Sequence, residues 1–298
     1  MQEAIMRIRT ILAVVLIAAT PHVLAANINV PGDFLTIQDA VDAASDGDTI
    51  HVLAGRYKGA VVDKAVHIKG TGGTIVDTGV YVSRGYLGTR GFLVQADGVM
   101  ISNLGIQNVG IGVEGYRPEG DHSVNDVAVS NVTITDPVPT YYSGGGVAFS
   151  FGVLNFRGGY GWTVTHSEIS FADGFPGYGI YIRWGADSLV AFNNIEHHEQ
   201  VPAGVYYFGV ILRSAQYNKV VHNKILIDAE KKGCVGVLGE TAMSNTIGFN
   251  DFRGSTVEGV FLDEASAEAN QIKANLGSNR SSISDSDASD FKPIIEPQ

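Results

Sequence analysis

The sequence predicts an all-β protein: a single-stranded right-handed parallel β-helix with a capping helix at its N-terminal end. Three observations predict it: a degenerate internal repeat, period-2 alternation of apolar and polar residues within each repeat, and glycine and asparagine breaking the pattern at short intervals. The simplest form of the repeat is apolar, any, Asn-like, any, any, apolar. It reads Ile101-Ser102-Asn103-Leu104-Gly105-Ile106 and, much later, Val220-Val221-His222-Asn223-Lys224-Ile225. Copies begin at Ile101, Val129, Val164, Val190, Val220 and Ile247, at intervals of 28, 35, 26, 30 and 27 residues. Periods in this range mark a solenoid.

A second strand recurs in each repeat, as Gly179-Ile180-Tyr181-Ile182, Gly209-Val210-Ile211-Leu212 and Gly259-Val260-Phe261-Leu262. Stacked coils place such strands about 4.8 Å apart along the axis. The first apolar residues, Val190, Val220 and Ile247 among them, are expected to point into one continuous core. Asparagines recurring at one turn can stack and share amide hydrogen bonds, as in cross-β ladders.

The open N-terminal edge of such a stack needs a cover. Thr36-Ile37-Gln38-Asp39 has the form of a capping box, and Ile37, Ala40, Val41 and Ala44 follow at helical spacing, so a capping helix is expected there.

Residues 1–25 read as a signal peptide: Arg7 and Arg9 precede the apolar run Ile11 to Ala19, and Val23 and Ala25 are small residues at the positions expected before cleavage at Ala26. The run is shorter than the roughly 20 residues of a membrane-spanning helix, and no later segment is long and apolar enough to span a bilayer. A secreted or periplasmic location, with no membrane span in the mature chain, follows from this reading. Residues 26–276 form one domain, since glycine is spread evenly and no Pro/Ser-rich linker interrupts the body. Residues 277–298, rich in Ser and Asp, read as a disordered tail.

The single cysteine, Cys234, has no internal disulfide partner and lies in an apolar run, as a small core residue does. A net charge of −11 argues against nucleic acid and anionic membranes as partners. It leaves room for an acidic polysaccharide held by a local basic patch.

The stretch from Pro31 to Gly70, with Thr36-Ile37-Gln38-Asp39-Ala40-Val41, Gly47-Asp48-Thr49-Ile50 and Ala54-Gly55-Arg56-Tyr57, resembles the entry segment of pectin-lyase-like β-helix proteins. The later Asn-bearing coils resemble NosD-type repeats of the same superfamily. This resemblance implies the fold and a carbohydrate partner, and leaves the chemistry open among lyases, hydrolases, epimerases, fructotransferases and proteins without known catalysis. The Asn-Thr-Asp, Gly-Asp-Asp and Gly-His-Gly set of polygalacturonases is absent, as are the Asp-Pro-His-Asp motif of alginate epimerases and the Arg-x-Pro-x-x-Arg motif of some pectate lyases.

Aligning the second strands on Phe156, Ile182, Leu212 and Leu238 puts Arg157, Arg183 and Arg213 on one outward column, followed by Gly239. Asn155, Tyr181 and Ile211 lie two positions earlier on the same face. Guanidinium forks match carboxylates bidentately, so the column suits a uronate chain; the alternative is local pairing with Asp or Glu. Ligand contacts are therefore assigned to Arg157, Asn155, Tyr181 and Arg117, the last on the insertion Glu114 to His122. Arg183 and Arg213 are assigned to catalysis, with Asp173, His197 and Glu199, on the turns after the Asn-bearing strands, as candidate bases. Carboxylates on those turns also suit Ca²⁺. The favoured activity is a polysaccharide lyase acting on a uronate-containing glycan. A non-catalytic glycan-binding or envelope-associated protein, including a NosD-like accessory, and a glycoside hydrolase are the alternatives. The insertion and the loop from Pro137 to Gly146 are expected to leave the stack on one side, and the enzyme reading strengthens if they wall the arginine column.

Overall fold

The computed structural model describes residues 25–83, 86–120, 122–135, 137–138, 140–142, 150–171, 177–197, 207–228, 232–263, 266, 269–277 and 281–284. The expected signal peptide lies almost wholly outside these residues, as do Asp173 and Glu199. Among the described residues no helix is long and apolar enough to cross a membrane.

The chain winds as a right-handed parallel β-helix whose coils lay three strands each onto three parallel stacks. The first stack runs through Thr49–Val52, His67–Gly70, Thr163–Thr165, Leu189–Ala191, Lys219–Val221 and Thr246–Gly248. The second includes Glu168–Phe171, Asn194–His197 and Lys224–Ile227. The third includes Ile111–Gly115, Ser150–Asn155, Gly177–Arg183, Tyr207–Arg213, Lys232–Leu238 and Glu258–Asp263.

Register follows the repeat. Ile101, Val129, Val164, Val190, Val220 and Ile247 are partners in successive coils. All six are buried in one core cluster, because period-2 alternation puts each on the inner face.

The third position of the repeat turns the corner between the first two stacks. Asn103, Asn131, His166, Phe192, His222 and Phe249 all take positive φ, between 51° and 59°. That conformation reverses the facing of the chain, so the fourth position points inward. The asparagine ladder consequently sits one residue later than the Asn-like third position implies. Asn103 and Asn131 are exposed, while Asn193, Asn223, Asn250 and Asn275 form the ladder. Each Oδ1 accepts the backbone N–H of the rung before it, and the amides of Asn193, Asn223 and Asn250 donate on to the next Oδ1 at 2.9–3.0 Å. A second ladder, Asn218, Asn245 and Asn270, runs at the corner after the third stack.

A glycine column makes the third stack fit against the second. A Cβ at Gly112 or Gly152 would stand 2.5 Å from the carbonyl oxygen of the glycine one coil on, and 2.8 Å from a side-chain carbon of Ile134 or Ile169. Gly179 and Gly209 meet Ile195 and Ile225 in the same way. Isoleucines on one wall thus pack directly onto bare backbone of the other, at the density protein interiors require.

At the N-terminal end the helix Ile37–Ala43 begins as the capping box predicts: Thr36 Oγ1 accepts the Asp39 N–H at 3.0 Å. Ile37, Ala40 and Val41 are buried, and the helix packs on the strands Asn27–Val30, Thr49–Val52 and Ala60–Val62. Lys64 Nζ donates to the carbonyls of Val41 and Asp42 at 2.9 and 2.6 Å, satisfying groups the helix end leaves open. At the other end, Ser281–Ser284 pairs with Glu258–Asp263, so this part of the segment expected to be disordered is a strand instead. Its Ile283 is in register with Leu262.

Candidate functional site

The expected arginine column is corrected in its register. Arg183 and Arg213 are partners, as predicted, but Arg213 then pairs with Leu238, not Gly239. One coil earlier, Asn155 is the partner of Ile182, while Gly158 packs against Trp184. The earlier coil therefore carries one residue more in this interval, and both Phe156 and Arg157 lie opposite Arg183.

This extra residue builds an alternation of rings and cations. The Arg157 guanidinium carbon lies 6.0 Å from the Tyr116 ring centre and 5.4 Å from that of Phe156. Arg183 stands 4.8 Å from Phe156 and 3.8 Å from Trp184. The order Tyr116, Arg157, Phe156, Arg183, Trp184 puts an aromatic face between the two charges, an arrangement favoured by the ring quadrupole. Arg183 is buried, Arg157 and Arg213 are half-buried, and Trp184 is 42% exposed. Tyr160 and Tyr217, on the coils before and after that of Trp184, are also more than half exposed at this corner, at 52% and 54%.

Tyr116 belongs to the insertion after the strand Ile111–Gly115. It stacks on His122 at 5.4 Å, and His122 Nδ1 lies 2.7 Å from the Arg117 carbonyl oxygen, which closes the loop on itself. The insertion thus stands beside the arginines, as one arm of the sequence reading anticipated. Arg117, assigned to ligand contact, makes local partners. It pairs with Asp97 at 2.7 Å and donates to the Gln95 carbonyl at 2.9 Å, pinning the loop to the coil before it. Asp97 is held below the usual carboxylate range by the Asn125 N–H and by Arg117, against a contrary push from burial.

Tyr181 is on the outward face, with Leu154 and Ile211 as neighbours in register. It is buried, and burial pushes its phenol above the ordinary range against the pull of Arg213 and Arg183. Arg213 is hydrogen-bonded to it. Tyr181 therefore props Arg213. Asn155 is corrected outright: it shares register with the inward Ile182, and its amide donates to the Gly159 carbonyl at 2.8 Å. It ties a turn.

His197 is corrected too. It is the last residue of the strand Asn194–His197, not part of the turn, and pairs with Phe171 and Ile227 on the core side. It is only 2% exposed and lies 5.8 Å from the Phe171 ring. The alternation Ile169-x-Phe171, Ile195-x-His197, Ile225-x-Ile227 was the signal that identifies it as a strand residue. Among the described residues no group of three or more His, Cys, Asp or Glu could hold a metal ion.

No protein-family model and no curated protein matches the sequence. Among solved structures, the chain is similar to the Dettilon tailspike protein, with 14% identity and a TM-score of 0.45 over 78% of this chain and 56% of that one. It is similar to an alginate lyase from a Paenibacillus species, with 14% identity and a TM-score of 0.40 over 85% and 98% of the two chains. A lacto-N-biosidase from Eubacterium ramulus gives 11% identity and a TM-score of 0.38 over 80% and 62%. The chain spans less than two thirds of the tailspike and of the biosidase. The stacked parallel strands are those of a β-helix. At these identities and TM-scores the likeness says nothing of the site, whose chemistry follows from its own geometry.

Proposed function

We propose that this β-helix protein acts on a uronate-containing glycan laid along the corner after the third stack, and that β-elimination is its reaction. The observation that carries the reading is the run Tyr116, Arg157, Phe156, Arg183, Trp184, continued by Arg213 in the next coil. Guanidinium groups that alternate with aromatic faces along the axis suit a chain bearing carboxylates at regular intervals. The exposed Trp184, Tyr160 and Tyr217 add apolar faces for sugar rings.

A lyase neutralises the uronate carboxylate, removes the proton on the adjacent carbon, and expels the glycosidic oxygen. Arg157 and Arg213, both half-exposed, supply the first step as bidentate donors. Arg183, clamped between Phe156 and Trp184, holds the local field positive and acts from the edge of its fork. Asp173 and Glu199 precede in sequence the strands Gly177–Arg183 and Tyr207–Arg213, whose arginines close the far end of each strand, so the base that serves this corner is another group. The export signal read from the N-terminal sequence fits a substrate outside the cytoplasm.

The test measures ultraviolet absorbance of unsaturated products, together with affinity, across a panel of uronate polysaccharides with and without Ca²⁺. Arg157→Ala and Arg213→Ala should each weaken binding by about 1.5–3 kcal/mol, the range for a hydrogen bond to a charged group. Binding without product points to a glycan-binding protein, and new reducing ends without absorbance to a hydrolase. Failure to bind any acidic glycan at low salt overturns the reading.

A further inference from the structure

A different corner carries an exposed ladder of four rings. His166, Phe192, His222 and Phe249 occupy the same position in successive coils, each neighbouring pair of ring centres 5.2 Å apart with planes within 18° of parallel. All four have positive φ, from 51° to 59°. Bulky side chains rarely adopt that conformation, and it costs them free energy. The same position in earlier coils holds Asn103 and Asn131, which tolerate it, and the next holds Ala274. Yet the rings fill no core: Phe192 and Phe249 are 54% and 53% exposed, and both histidines are exposed. Scattered surface apolar residues are ordinary, but a contiguous strip of strained rings is not.

We propose that this ladder is a contact strip for an uncharged, extended polysaccharide lying parallel to the helix axis, with one sugar per coil. With ring centres 5.2 Å apart and Phe192 and Phe249 54% and 53% exposed, each ring keeps apolar surface open to solvent. Such surface meets the C–H faces of pyranoses. The step from ring to ring is close to the advance per residue of an extended β-1,4-linked chain, so contacts repeat in phase. Alternate rungs are imidazoles, whose ring nitrogens exchange hydrogen bonds with hydroxyls.

The flanks select a neutral occupant. On one side Ala191, Val221 and Gly248 are small and leave the rings standing proud. On the other, Glu168, Asn194, Lys224 and Asp251 offer both donors and acceptors. There Lys224 is paired with Glu196 at 3.0 Å and Asp251 with Arg253 at 2.6 Å, so neither sign dominates. The arginine corner, by contrast, favours anions.

The test is calorimetric titration with a length series of β-1,4-linked glucose and mannose oligosaccharides. Wild-type affinity should climb with each added sugar and level off once the four rungs are covered. Phe192→Asn and Phe249→Asn should each lower it roughly ten-fold, with an unchanged or raised melting temperature, because asparagine relieves the backbone conformation it replaces. Arg157→Ala should leave neutral-chain binding intact and the two Asn variants should leave acidic-glycan binding intact, so either corner can fail without the other. Absence of neutral-chain binding by the wild type, wild-type affinity in both variants, or a fall in melting temperature without a fall in affinity each overturns the proposal.

Discussion

Replacing Asn223 by alanine tests what holds the coils in register. Asn223 is 1% exposed, and its Oδ1 accepts the Asn193 backbone N–H at 3.0 Å and the Asn193 side-chain amide at 2.9 Å. Its own amide donates to the Val190 carbonyl at 2.9 Å and to Asn250 Oδ1 at 3.0 Å. Alanine leaves two buried donors on Asn193 without acceptors, whereas Asn250 Oδ1 still accepts the backbone N–H of residue 223. An orphaned buried donor costs about 1–3 kcal/mol, so the variant should lose about 3–4 kcal/mol once partial relaxation is allowed for. Asn223→Asp should do no better: it restores the acceptors but turns a carboxylate toward Asn250 Oδ1 and the Val190 carbonyl. Urea unfolding followed by circular dichroism reads the change as a fall in midpoint at constant slope. A loss under about 1 kcal/mol for Asn223→Ala would mean that the ladder follows from coil stacking and does not support it.

Gly152→Ala should cost about 1–3 kcal/mol or more, since its Cβ would meet the Gly179 carbonyl oxygen and Ile169 on opposed walls; a melting curve equal to wild type would refute the tight seam. Cys234 is fully buried and its thiol is pushed up to about 11 by burial, so a thiol reagent at pH 8 should label the unfolded protein and spare the folded one. Asp251 is held at about 2, below its ordinary value of 3.8, chiefly by its hydrogen bond with Arg253. Because the folded value is the lower one, this stabilisation is complete above the ordinary value and is lost as pH falls toward about 2. Asp251→Asn should therefore lower stability at neutral pH and change it little at strongly acid pH, which flattens the profile across that window, and an identical acid limb in both proteins would contradict the pairing.

The coil count and the inward residues were legible because a strand with one face in the core must alternate, and the spacing of Ile101, Val129, Val164, Val190, Val220 and Ile247 is read directly from the chain. Rotation at the corners was less legible. Nothing in Asn103 or Asn131 says that the third position is the outward one until His166, Phe192, His222 and Phe249 share its positive φ. The arginine register slipped for a local reason: Phe156-Arg157 spans one residue more than the matching interval at Arg183, and a pattern of apolar and basic residues does not reveal an extra residue in a strand. His197 was misplaced because Glu196-His197-His198-Glu199 is a polar run, although its first two residues continue a strand.

The third stack also explains why its two faces could not be told apart in the sequence. Gly177–Arg183 and Ser150–Asn155 are buried at every position, and a second apolar cluster containing Phe151, Leu154, Phe156, Tyr178, Tyr181, Phe208 and Ile211 covers the outward side. A strand buried on both faces loses its alternation and becomes a continuous apolar run. The same burial gives Arg183 its chemical character. A guanidinium set in an apolar layer is poorly solvated, so attraction to an incoming carboxylate is stronger than it is at an open surface. That environment also makes the charge costly to keep, and the flanking faces of Phe156 and Trp184, at 4.8 and 3.8 Å, offset part of that cost. Removing the clamp should therefore weaken the fold and the site together. Removing Arg157 or Arg213, which are only half-buried, should reach the ligand without reaching the core.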